Sequence, residues 1–169
     1  MNKLIGYILR LLVLSAFQIF ILNNLQISGY LNPYVYILFI MLLPPKLPKP
    51  FVLIISFGLG FMIDVFSDSY GIHTAATVLM GYVRPKVLSL VSVKGGEDLE
   101  EIGIRHLRLG RFFTYTIILI LIHHFALFYL EAFRWNEFFD TLVRTFTSGL
   151  FSLLIILCIE SLRSNSMIK

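Results

Sequence analysis

Apolar runs dominate the chain, and the polar residues between them divide it into six stretches. The first, residues 4–22, reads "LIGYILRLLVLSAFQIFIL". A polar turn leads to residues 31–43, whose apolar centre is "YVYILFIML", and then "PPKLPKP" (Pro44 to Pro50) interrupts. Proline removes a backbone donor and clashes with the preceding turn, so a helix must break there. The third and fourth stretches are residues 51–66 and 72–91, separated by "SDSYG". A polar loop over 92–111 precedes the fifth stretch, 112–133, and the sixth follows at 139–162. A helix needs about 20 apolar residues to cross a bilayer. The pattern therefore predicts a single all-α membrane domain over 1–169, a bundle of about six transmembrane helices. The second and third stretches are short, and form either two tilted spans meeting at the proline knot or a re-entrant hairpin. Two spans are the favoured reading.

Composition supports this class. Of 169 residues, 57% are hydrophobic and 14% charged, and mean hydropathy is +0.84. A soluble domain carries about 25% charged residues, so lipid must solvate much of this surface. The net charge of +4 comes from basic residues scattered between apolar runs, with no stripe of the kind that binds nucleic acid. Placing the N-terminus inside gathers Lys3, Lys46, Lys49, Lys86, Lys94, Arg105, Arg108, Arg111, Arg163 and Lys169 on one face and leaves little beyond Arg134 on the other. The positive-inside rule then sets both termini in the cytoplasm. Arg10 interrupts the first apolar run and no small-residue cleavage site follows, so that run reads as a retained helix and not a signal peptide. Cys158 is the only cysteine and reads as a small apolar residue.

The polar loop orders Glu97, Asp98, Glu100 and Glu101 before Arg105, Arg108 and Arg111, which suits a helix dipole. A short surface helix is expected there, with Leu99, Ile102 and His106 or Leu109 dipping inward.

Polar residues inside the apolar stretches mark the candidate sites. Ser56, Gly60 and Asp64 recur every fourth position and share a helix face, with Gly58 adding a second gap. A charge buried in a membrane costs several kcal/mol unless it is paired. Arg144 offers Asp64 the simplest pairing. His73 and the backbone N–H groups of Gly71 to Thr74, at the start of the fourth stretch, are the other candidates. Thr74, Thr77, Gly81 and Arg84 line one face of that stretch, and Thr141, Arg144, Ser148 and Ser152 one face of the sixth. Such stripes pack inside bundles through interhelical hydrogen bonds, although a substrate pathway uses the same residue types. His123 and His124 are adjacent, so they point about 100° apart on a helix and cannot chelate one metal as an i,i+4 pair does. No nucleotide-binding loop, nucleophile elbow or paired-aspartate array is present. The sequence thus implies a non-enzymatic chain with no cofactor.

The runs "YVYILFIMLLPPKLPKP" and "GLGFMIDVFSDSYGIHTAATVLMGYVRPKVL" resemble the bacterial rod shape-determining membrane protein family MreD. Length and span count are similar. The signature is a glycine-spaced third segment ending in Asp, followed by a Gly-aliphatic-His turn. Gly58, Gly60, Asp64, Gly71, Ile72 and His73 match it, with Gly81, Tyr82 and Arg84 following. The resemblance implies a scaffold of the cell-elongation machinery in the cytoplasmic membrane. Its implied partners are the single-span coiled-coil protein MreC, the cytoskeletal MreB, the glycosyltransferase RodA and a class-B penicillin-binding protein. By the same route it implies a fold similar to the substrate-binding subunits of ECF-type vitamin transporters. Such a transport subunit is the runner-up reading, its cavity supplied by the two polar stripes and Trp135.

Overall fold

The computed structural model describes residues 3–25, 31–92, 99–133 and 135–166. Among these the chain is helical and contains no strand. Helix α1 spans Lys3–Phe20 and runs into a 3-10 turn at Leu22–Asn24; α2 is Leu38–Met41, α3 Lys49–Ser67 and α4 Ile72–Val91. After the polar loop come α5 (Ile104–Leu107), α6 (Leu109–Ala132), a 3-10 turn at Trp135–Glu137 and α7 (Phe138–Ser166). Among the described residues, four helical stretches are long and apolar enough to cross a membrane: Leu4–Asn24, Lys49–Ser67, Leu109–Ala132 and Phe138–Ser164. Helix α4, at 20 residues, has the length but carries Thr74, Thr77, Arg84 and Lys86. It is walled in by α3 on one side and α6 on the other, and α6 in turn packs on α7. Apolar side chains such as Phe51, Ile54, Phe57 and Phe61 of α3, or Phe146, Leu150 and Leu154 of α7, point outward. That inverts the soluble pattern and suits a hydrocarbon solvent.

The second apolar stretch departs from expectation. Only four of its residues are helical, far too few for a span. Instead the whole run from Tyr34 to Leu43 is buried, with Val35, Tyr36, Ile37, Ile40 and Met41 fully so. Helices α1 and α3 end side by side, where Asn23 Nδ2 donates to Ser67 Oγ at 3.0 Å. The chain must therefore travel back through the bundle before α3 can start, and residues 31–43 make that return along its axis. They begin beside Gln18 near the end of α1 and finish beside Arg84 near the end of α4. This path reaches the opposite end of the bundle, so it is not a hairpin re-entering from one side. Non-helical backbone at such depth survives only where protein satisfies it.

Smaller differences concern helix ends. Helix α3 starts at Lys49, two residues early, because a proline in the first helical turn lacks only a donor that would be orphaned anyway. Helix α6 starts at Leu109, and α7 runs on to Ser166. The polar loop does hold a short helix, α5, whose Leu107 is buried together with Ile102 just before it, whereas His106 and Leu109 are exposed. Arg163 and buried Glu160 of α7 clamp this turn. Glu160 Oε1 accepts the Ile104 N–H at 3.3 Å while Arg163 Nη2 donates to the Ile102 carbonyl at 3.4 Å. Lys94, Glu97, Asp98 and Arg134 lie outside the described residues.

Candidate functional site

The face shared by Ser56, Gly60 and Asp64 packs on α4 along its full length. At the top of this seam α4 begins after Gly71, which adopts φ +91° and, being glycine, has no side chain to cap the helix. A helix start leaves four backbone donors unsatisfied. Asp64 supplies the missing cap from the neighbouring helix. Its Oδ1 accepts the His73 N–H at 3.0 Å and its Oδ2 the Thr74 N–H at 2.8 Å. The Thr74 and Ser69 hydroxyls donate to the same carboxylate at 2.5 and 2.6 Å. Of the candidate partners for Asp64, the helix start is the one used. Arg144 is engaged elsewhere: its guanidinium meets Glu131 at 3.1 Å and lies over the Phe128 ring, 4.3 Å from the centroid. The expected Asp64–Arg144 pair is thus replaced, because backbone donors pointing at the carboxylate already satisfy it without a second buried charge.

Lower on the seam, a Cβ placed on Gly60 would lie 2.6 Å from Thr74 Cα and 2.9 Å from the His73 carbonyl oxygen. Only glycine permits that approach. Gly81 of α4 packs against the Ser56 side chain, a contact with a hydroxyl and not with backbone. Gly58 does not belong to the seam; a Cβ there meets nothing within 4 Å, since it lies two residues from Gly60 and faces outward.

Beneath the joint, Tyr36 forms a hub that the sequence pattern did not reveal. Its hydroxyl lies 2.9 Å from Thr77 Oγ1, 2.8 Å from His123 Nε2 and 3.3 Å from His73 Nδ1. Proton counting orders these contacts. Thr77 spends its hydroxyl proton on the His73 carbonyl at 2.7 Å, so Tyr36 donates to Thr77 and both imidazoles donate to Tyr36. His73 Nε2 is then an acceptor. His123 Nδ1 is a second acceptor, buried without a partner among the described residues. His124 turns the other way, its Nδ1 donating to the Ile120 carbonyl at 3.0 Å and its Nε2 standing 2.9 Å from Ser152 Oγ. Both histidines are fully buried, and among the described residues no cluster of metal-ligating side chains forms.

The polar stripes turn toward the axial segment. Gln18 Oε1 accepts the Val35 and Tyr36 N–H groups at 2.7 and 3.4 Å, and its Nε2 donates to the Pro33 carbonyl at 3.1 Å. Ser148 and Ser152 accept the Asn32 and Tyr34 N–H groups. At the far end Arg84 donates to the Leu43 carbonyl, and Tyr115 donates to Met41 at 2.9 Å. Four helices thus solve one backbone's hydrogen-bonding problem. A tilted apolar span needed no such partners, so reading 31–43 that way hid the purpose of these side chains. Its length of about ten apolar residues was the available signal, since runs of 10–14 are more often buried or re-entrant than spanning.

Next to the Asp64 joint lies a half-open cavity of about 500 Å³. It is bounded by the end of α1, the α3–α4 turn, residues 32–34 and the end of α6. The basic residues Lys46, Lys49, Lys86, Arg105, Arg108 and Arg163 belong to turns and helix termini at the other end of the bundle.

Comparison with protein-family models, curated proteins and solved structures returns no match.

Proposed function

We propose that this chain is a non-enzymatic scaffold of the MreD type in the bacterial cell-elongation machinery. It would bind an MreC-like single-span protein and help couple MreB to peptidoglycan synthesis by RodA and a class-B penicillin-binding protein. In this reading it lies in the cytoplasmic membrane with both termini inside. Helices α1, α3, α4, α6 and α7 cross, and residues 31–43 make the return passage within them. The observation that carries the proposal is the Asp64 joint. Of the residues that carry the resemblance, Gly60, Asp64, Gly71 and His73 meet there to fix two helices, while Gly58 faces outward, and every Asp64 oxygen is engaged by local donors. A carboxylate held in this way shapes a surface and is not poised to exchange protons. The gathering of basic residues at the end away from the cavity supports the orientation.

The test is purification of the C-terminally tagged protein from native membranes, with identification of what accompanies it. Recovery of a single-span coiled-coil protein with wall-synthesis enzymes is the expected outcome. Paired ATPases with a long membrane coupling subunit would instead establish the alternative, the substrate-binding subunit of an ECF-type vitamin transporter. The polar cavity is the feature that favours that second reading.

A further inference from the structure

The cavity beside the joint keeps both donors and acceptors unspent. Asn23 Nδ2 uses one N–H on Ser67 and keeps the other, and among the described residues the Ser67 and Tyr70 hydroxyls donate to nothing. Asn24 Nδ2 is spent on the Ile19 and Phe20 carbonyls, which leaves its Oδ1 at the wall. The deepest acceptor is His73, which lines the cavity yet is only 5% exposed. Tyr36 fixes its Nδ1 at 3.3 Å, and the proton count there makes Nε2 an acceptor, without a hydrogen-bond partner among the described residues. A buried acceptor held in place and left unmatched is a demand for a donor from outside the chain.

Charge narrows the class. Glu131 is engaged by Arg144 through both carboxylate oxygens, at 3.2 and 3.1 Å, so that wall is neutral as a pair. Asp68 is then the one uncompensated carboxylate of the lining, and it is exposed to solvent. An anion would meet Asp68, with Asp64 close behind Ser69 and His73, and no free cation. A cation would find a single solvated carboxylate and leave the wall's donors unused. A neutral molecule rich in hydroxyls matches the lining, because each hydroxyl both donates and accepts. Tyr70 adds a surface to this. It holds a left-handed backbone at the rim (φ +51°), and its ring is 99% exposed, so its flat apolar face is covered by nothing in the chain. The volume lies within the range of small-molecule sites, about 300–1,000 Å³.

We infer that this cavity is a binding site for a neutral saccharide. His73 Nε2 and Asn24 Oδ1 accept from its hydroxyls, Asn23 and Ser67 donate to them, and the Tyr70 ring covers its C–H face. The site stands independently of the scaffold reading, because its occupancy is measured without any partner protein.

The test uses the purified full chain in lipid nanodiscs and saturation-transfer NMR with glucose, galactose and N-acetylglucosamine. Glucosamine and glucuronate serve as charged counterparts, and tetrahydropyran-2-methanol as a ring stripped of most hydroxyls. At least one neutral sugar is expected to bind, glucuronate and the stripped ring not at all, and glucosamine no better than glucose. Tyr70→Ala should weaken the bound sugar about fivefold, and its position on the surface lets thermal unfolding verify an intact fold. The Nε2 nitrogen resonance of His73 should move as the sugar is added, which a surface contact elsewhere would not cause. Failure of all three neutral sugars to bind at millimolar concentration would overturn the inference. So would tighter binding of glucosamine, equal binding of glucuronate or the stripped ring, or sugar binding that leaves the His73 resonance unmoved.

Discussion

The Asp64 carboxylate caps a helix to which it does not belong, accepting the Thr74 N–H at 2.8 Å across the turn between α3 and α4. With His73 and two hydroxyls, four donors converge on one buried side chain. A hydrogen bond to a charged group contributes about 1.5–3 kcal/mol. Asp64→Ala is therefore predicted to lower unfolding free energy by at least about 3 kcal/mol, and Asp64→Asn, which keeps one acceptor oxygen, by about 1–2 kcal/mol. Denaturant unfolding in mixed micelles, followed by circular dichroism, checks the order. Equal losses for the two variants would show that the cap is not what Asp64 contributes.

Gly58 and Gly60 are two residues apart and predicted to respond oppositely. Gly60→Ala forces α3 and α4 apart where their backbones meet, at a cost of about 1–3 kcal/mol as overpacking. Gly58→Ala meets open space and should leave stability unchanged or raise it by up to about 1 kcal/mol, since alanine favours helix. The same unfolding measurement on both variants decides it, and loss at Gly58 alone would contradict the seam described above.

Gln18 satisfies three backbone groups of the axial segment from a single side chain. Gln18→Leu is close in size and apolar, so hydropathy alone would favour it in a membrane helix. It is nonetheless predicted to destabilise by about 2–4 kcal/mol, because each buried backbone group left unsatisfied costs about 1–3 kcal/mol. Faster amide hydrogen exchange at Val35 and Tyr36 should accompany the loss. Unchanged exchange at those two amides would argue against this role.

Glu131 and Arg144 form the contrasting case. Their side chains are 43% and 22% exposed, and ion pairs at such positions contribute about 0–1 kcal/mol. Glu131→Gln is predicted to change the unfolding temperature by no more than a few degrees. A large drop would mean that Arg144 depends on this partner far more than its exposure allows.

Tyr36→Phe removes the hub hydroxyl and strands two imidazole N–H groups and Thr77. A cost of about 2–3 kcal/mol is expected, with altered ring-proton resonances of both His73 and His123. A shift confined to one histidine would split the hub.

The seam between α3 and α4 was legible in the sequence because it is periodic. Ser56, Gly60 and Asp64 repeat at helical spacing, and a carboxylate among apolar residues announces an unmet need for donors. What filled that need was not legible, since Arg144 and a helix start both supply positive potential and only geometry separates them. The role of residues 31–43 was obscured for a different reason. Hydropathy reports that a segment avoids water, but lipid and protein interior serve equally well. Tyr36, His73 and His123 lie on separate apolar runs, and nothing local indicates that they converge. Gly58 shows the opposite error, a glycine that shares a motif but not a face.

The axial segment also sets a timetable. Asn32 and Tyr34 donate their N–H groups to Ser148 and Ser152, residues 116 and 118 positions later in the chain. During synthesis residues 31–43 appear long before α7 exists to receive them. Their α2 turn is too short to settle in lipid as a helix of its own. The early part of the chain must therefore wait, its centre provisional, until the last helix has been made and closes over it.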